Sequence, residues 1–131
     1  MADMITAEEL RNLKAEHPRA KVLCYVNTTA DVKAECDVCC TSGNAERIVR
    51  NLFHPDDEII FVPDQYLATW ISGRLGRKFI LWQGFCPTHV RILSEDITMK
   101  KSLYPGAEVL VHPECPPVIT ALADHVLSTE Q

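Results

Sequence analysis

Residues 21–26 read KVLCYV, a short run that is almost wholly apolar and rich in β-forming residues. A strand with one face in water alternates apolar and polar side chains, and this one does not. It reads as a strand covered on both faces, as in a parallel sheet packed between helices, rather than as half of an edge hairpin. The sequence on either side agrees. Upstream, Thr6 and Glu9 have the spacing of a capping box, and Leu10, Leu13 and Lys14 carry a helix on to about Pro18. Downstream, the spacing predicts a strand over 38–40, a helix over 42–52 and a strand over 58–62 (EIIFV). A helix over 64–75 follows, with Gly76 as its C-cap, then a strand over 79–82, a helix over 92–103 and a strand over 108–111. Pro117 opens a last helix expected to run to about residue 125. This alternation predicts a single α/β domain over residues 1–131, a three-layer α/β/α sandwich with a short, mainly parallel sheet.

At 131 residues, 47% of them hydrophobic, the chain has room for one continuous core. Its formal net charge is -5 and it has no run of basic residues, so it lacks the electrostatic footprint of a nucleic-acid or anionic-membrane partner. No apolar stretch approaches the roughly 18 residues that span a bilayer, and no basic start and apolar block mark a signal peptide. The expected location is the cytoplasm, where the six cysteines would be free thiols serving as core filler, metal ligands or reactive groups.

An internal likeness ties two parts of the chain together. LKAEHPRAKVLCYVN and MKKSLYPGAEVLVHPE share residues at matching offsets, pairing Lys14 with Lys101, Pro18 with Pro105 and Val22 with Val109. Both are helix-turn-strand units. In this register Tyr25 and Asn27 end the first strand, and His112 and Glu114 end its counterpart. Ligands of open α/β sheets bind beyond the carboxyl ends of strands, so these four polar groups are candidates to share a crevice.

Residues 36–45 read CDVCCTSGNA and crowd Cys36, Cys39 and Cys40 together. The C-x-x-C spacing lacks the second ligand pair of a zinc site. The thiols also precede the next helix by several residues, whereas a redox dithiol sits at the helix N-terminus. They read as strand packing, with cysteine behaving as a small hydrophobe. Ser42, followed by Gly43 and Asn44, stands at the helix start, either as its cap or as part of an anion site. In GFCPTHV, residues 84–90, Cys86 lies in a loop beside Gly84 and Pro87, with His89 spaced to point into the same site. Half-buried loop thiol, nucleophile and metal ligand all remain open for it. Cys24 and Cys115 read as structural, His17 and His54 as surface residues, and His125 as packed at a helix end.

Taken together, YVNTTADVKAECDVCCTSGNA, GFCPTHV and VHPECPP…ADHVLST resemble, in order, the strand-end signatures of the quinolinate synthase family. The resemblance covers essentially the whole chain. It implies one of three similar α/β domains arranged around a pseudo-threefold axis, here the middle one. It also implies a [4Fe-4S] cluster to which each domain gives one cysteine, with Cys86 in the middle-domain position. By the same resemblance Tyr25, Val26 and Asn27 match a segment contacting iminoaspartate, and Ser42 matches a residue holding a substrate carboxylate. His112, Pro113 and Glu114 match a third contact segment, and Thr129 a further substrate position. The implied reaction condenses iminoaspartate with dihydroxyacetone phosphate to quinolinate, losing water and phosphate. Glu114, Tyr25 and His112 are the implied catalytic groups, Glu114 as acid/base and Tyr25 for positioning or proton shuttling.

The departures from that pattern are specific. MADMITAEEL resembles the segment just after the Cys-Pro that carries the family's first cluster cysteine, and VLSTEQ has Leu127 and Glu130 where the pattern favours small residues. Two expectations follow. In one, the chain is a piece of a quinolinate synthase, inactive without the other domains, and fed by an L-aspartate-oxidising enzyme. In the other, it is a stand-alone α/β module binding a dicarboxylate, or a metal through Cys86, without synthase activity.

Overall fold

The computed structural model describes residues 1–131 and carries KVLCYV at the centre of its main sheet. β1 (Lys21–Tyr25) lies between β2 (Val38–Cys40) and β3 (Ile59–Val62), and β4 (Ile80–Leu81) flanks β3; all pairings are parallel. The missing alternation has its cause here, because every residue of β1 after Lys21 is buried. Val22 and Cys24 face Leu10 of α1 (Ala7–Glu16) and Val32 of α2 (Ala30–Ala34). Leu23 and Tyr25 face the other way, onto Val49 of α3 (Ala45–Leu52), Leu67 and Ile71 of α4 (Gln65–Leu75), and Phe61. Helices therefore cover both faces of a parallel sheet, the expected three-layer α/β/α sandwich. Burying an aliphatic or aromatic side chain such as Leu23 or Phe61 contributes roughly 1.5–3 kcal/mol, so this double cover is the main source of stability.

Local signals act as their chemistry requires. The Thr6 hydroxyl accepts the Glu9 N–H at 3.2 Å while the Glu9 carboxylate accepts the Thr6 N–H at 2.8 Å, which closes the capping box. Gly76 ends α4 at φ 63°, the left-handed region where a side chain is strained. Gly84 is needed for a different reason: a Cβ there would lie 2.3 Å from the Pro63 carbonyl oxygen. That close approach seats the 84–86 loop on the end of β3, where Gln65 N–H donates to Gly84 O at 2.8 Å.

The last third of the chain builds a separate two-stranded parallel sheet, from α5 (Ser94–Leu103), β5 (Leu110–Val111), α6 (Pro117–Thr120) and β6 (His125–Val126). The expected long final helix is thus corrected: it stops at Thr120, and His125 opens a strand instead of packing at a helix end. The reason is capture by β5, since the Val109 carbonyl accepts the N–H groups of both Asp124 and His125. The sequence reading also passed over α2, which is one short turn.

This second unit repeats the first at a constant spacing. Val22 N–H donates to Asp37 Oδ2 at 2.6 Å and Val109 N–H to Asp124 Oδ2 at 2.8 Å. Lys14 Nζ reaches the Glu35 carbonyl at 2.7 Å and Lys101 Nζ the Leu122 carbonyl at 3.2 Å. Leu23 pairs with Val38 across the strands, and Leu110 with His125. The likeness in sequence is a likeness of structure over α-β-α-β.

Three smaller readings change. α3 starts at Ala45, so Ser42 is not its cap; residues 42–44 form a turn in which Asn44 Oδ1 accepts the Thr41 N–H at 2.8 Å. Cys40 is buried and Cys36 half-buried, but Cys39 is exposed, because β2 is an edge strand and the helices covering that face lie over β1. His17 is half-buried rather than a surface residue. No helix is long and apolar enough to cross a membrane.

Candidate functional site

Parallel strands deliver their carboxyl ends to the same side, and here the two sheets deliver theirs to each other. β1 ends in Tyr25, 6% exposed, whose hydroxyl accepts the Asn27 Nδ2–H at 2.9 Å. The turn after β2 supplies Ser42. The segment after β5 supplies His112, Pro113 and Glu114, and the Glu114 N–H donates to His112 Nδ1 at 3.2 Å. With Nδ1 occupied as an acceptor, the ring proton sits on Nε2, which donates to Ser42 Oγ at 3.1 Å. That bond joins the two sheets.

The loop after β4 brings the third wall. His89 stacks on His112 with ring centroids 5.0 Å apart, and its Nδ1 lies 2.9 Å from Glu114 Oε2. The pair is out of line for a hydrogen bond, so Nδ1 is buried without a partner. Cys86, a half-buried free thiol, completes the group: its Sγ, a His89 nitrogen and a Glu114 oxygen lie within 4.8 Å of one another.

Burial and the nearby Glu114 push the Tyr25 hydroxyl well above its usual pKa, against a smaller opposing pull from Ser42, so Tyr25 keeps its hydrogen and is a hydrogen-bond donor. Burial holds His112 below the usual imidazole value, with Glu114 opposing and His89 adding to the shift, so the ring is neutral at pH 7. Asp64, at the end of β3, is fully buried; its Oδ1 accepts the Leu67 N–H at 2.8 Å and its Oδ2 has no partner. Burial raises its pKa to about 6, with the Leu67 N–H pulling the other way and the Glu114 charge adding to the rise.

The donor set bears on metal chemistry. An iron-sulfur cluster is held by cysteine thiolates, and the site offers one available sulfur in Cys86. Cys115 is nearby but buried with Ile97 and Ile119, and burial pushes its thiol up, so it stays protonated. These residues fit one corner of a cluster. The sulfur, nitrogen and oxygen of Cys86, His89 and Glu114 also match three ligands of a divalent ion such as zinc.

The fold brings together Tyr25, Asn27, Ser42, Cys86, His112 and Glu114. Val26 stands behind them, its N–H bonded to the Cys40 carbonyl, and Pro113 is buried beside them. Thr129 is exposed and shares a separate groove with His112. Sequence reasoning passed over Asp64 as a site residue, taking it only for a helix start. Its place at the carboxyl end of the buried EIIFV strand was the available signal. Ser128, buried with its hydroxyl unpartnered, was also missed, although it stands beside Thr129 in the VLSTEQ stretch.

A family model described as quinolinate synthetase A protein matches residues 1–131. Among curated proteins, the chain is 55% identical over 131 residues to a quinolinate synthase of Dehalococcoides mccartyi strain CBDB1, covering all of this chain and 43% of that protein. It is 52% identical over 129 residues to one from Methanoregula boonei, covering 98% of this chain and 42% of the relative. With one from Aquifex aeolicus it shares 48% over 132 residues, all of this chain and 40% of the relative. The chain spans about two fifths of the length of the relatives it matches.

Proposed function

The chain belongs to the quinolinate synthase family, and we propose that it is the middle of three similar domains of such an enzyme. In this reading the whole enzyme condenses iminoaspartate with dihydroxyacetone phosphate to quinolinate in cytoplasmic NAD biosynthesis. An L-aspartate-oxidising enzyme supplies the imine. The observation that carries the reading is the junction of the two sheets, where the His112–Ser42 bond brings Tyr25 and Glu114 together beside Cys86.

Each residue has a role that its surroundings permit. Ser42, receiving the Nε2–H of His112, keeps its own hydroxyl hydrogen for an acceptor such as a substrate carboxylate. Tyr25 is a second donor, oriented by Asn27. Val26 and Pro113 shape the wall, and Thr129 is a further contact. Glu114 is the acid/base: it is 3% exposed, beside His89 and Cys86 at the edge of the crevice. A [4Fe-4S] cluster, with Cys86 as one ligand, supplies Lewis-acid chemistry when bound.

In a full-length relative, Cys86→Ala is expected to abolish the cluster's visible absorption, and Cys39→Ala to leave it intact. Loss of iron in the Cys39 variant overturns this division of the thiols. The isolated chain, reconstituted anaerobically with iron and sulfide, is expected to hold no stable cluster and form no quinolinate; a stable cluster with turnover refutes that. The Cys86, His89 and Glu114 grouping favours a second reading, a module that binds one divalent ion. Stoichiometric zinc binding lost in His89→Ala supports it, and unchanged binding removes it.

A further inference from the structure

A pocket of about 410 Å³ opens between α3, α4 and the segment after β6, with Ser42 in its wall. Arg47 and Arg50, a turn apart on α3, and Arg74 of α4 also line it. A chain of net charge -5 thus concentrates guanidinium groups in one concavity. Glu46 is the acidic residue in the lining, and Arg74 is paired with it while lying 5.8 Å from the Trp70 ring centroid. Arg47 and Arg50 enter no ion pair.

A second observation is independent of charge. Ser128, 7% exposed, lines the same pocket, and its Oγ has no hydrogen-bond partner. A buried hydroxyl left unpaired costs stability unless a ligand or water pairs with it. Gly43 forms the adjoining lip, where a Cβ would meet Ser128 Oγ at 3.0 Å and the Glu130 carboxylate at 3.1 Å. The absent side chain keeps the hydroxyl within reach of the pocket.

We propose that this pocket is a phosphate site, adjoining the Tyr25–Glu114 crevice and sharing Ser42 with it, which takes the phosphate of a small phosphorylated molecule or the free ion. Arg47 and Arg50 supply paired N–H groups, each a fork that spans two phosphate oxygens, with oxygens shared between the two forks, and Ser128 adds one more donor. A lysine point charge would not give that match, and a single carboxylate, with two oxygens, fills one fork where a phosphate reaches both. The site rests on these donors alone. Only the choice of occupant rests on the proposed function, whose triose phosphate substrate and released phosphate are the two sources.

Calorimetric titration of the 131-residue chain with inorganic phosphate, at ionic strength held constant with chloride, is expected to show saturable binding. R47Q/R50Q should weaken it about tenfold or more, and Ser128→Ala by a smaller factor. Arg19→Gln, which removes an arginine outside the pocket, should leave the affinity within about twofold. No saturable binding above chloride, or unchanged affinity in R47Q/R50Q, overturns the proposal. If that variant does not fold, R47K/R50K is read instead: weaker binding supports the paired contacts and unchanged binding overturns them. Dihydroxyacetone phosphate binding more tightly than inorganic phosphate assigns the pocket to the substrate; equal or weaker binding assigns it to the released ion. Failure of the proposed function is read separately, as absence of quinolinate formation by a full-length relative, and does not alter the phosphate titration.

Discussion

β1 and β5 begin from closely similar sequence and end in opposite surroundings. β1 is the second strand of a four-stranded sheet with helices on both faces, and Leu23 is fully buried. β5 pairs with β6 alone, and Leu110, at the equivalent position, is 59% exposed. The polar clamps are the same in both: an aspartate on the N–H of Val22 or Val109, and a lysine on a carbonyl after the short helix. What differs is how much apolar surface is laid over the strand. Local hydrogen bonding therefore specifies the unit, while neighbouring strands and helices determine its stability.

The largest expected effect concerns what the two units deliver to the site. In a full-length relative, Glu114→Gln should lower turnover about 10²–10⁴-fold, as the loss of an acid/base does. At its repeat counterpart, Asn27→Ala should cost about tenfold, the scale of one positioning hydrogen bond. Equal losses would show that the two positions are interchangeable, against the roles assigned above.

Stability should separate the units next. Leu23→Ala is expected to cost about 2–5 kcal/mol in urea unfolding, through lost burial and a cavity. Leu110→Ala should stay within about 0.5 kcal/mol. A comparable cost at Leu110 would mean that β5 is covered in solution.

The smallest effect sharpens the likeness. The Val109 N–H, and after it Lys101, hold the Asp124 carboxyl below the ordinary aspartate value. A carboxyl whose folded pKa is depressed stabilises the fold above its unfolded value, near 4, and that contribution fades as pH falls through the folded value. The Val109 amide resonance should therefore titrate with a midpoint below the usual aspartate range, and Asp124→Asn should remove the inflection. A midpoint above that range would contradict the clamp.

Much of the first unit was legible in the sequence because its signals are local and redundant: KVLCYV without alternation, the Thr6–Glu9 box, Gly76 at a helix end. The second unit was half legible. Its helix and first strand matched the earlier pattern, but α6 is a single turn, and nothing in residues 121–126 marks a strand until Asp124 and His125 meet the Val109 carbonyl. Cys39 was misread because exposure depends on which strand is at the edge, a property of sheet order and not of the strand's own residues. In the site, residues at strand ends could be found by position, as Tyr25 and Glu114 were. Asp64 could not be weighed, since its significance lies in being sealed off beneath the loop that carries Cys86.

The hydrogen bond from His112 Nε2 to Ser42 Oγ has a consequence for inhibitor chemistry. Because the imidazole N–H takes one of the oxygen's lone pairs, Ser42 keeps its hydroxyl hydrogen for an acceptor in the crevice. A carboxylate, sulfonate or tetrazole set against Ser42 accepts that hydrogen, while an amine or amidine finds its complement at the Glu114 carboxylate.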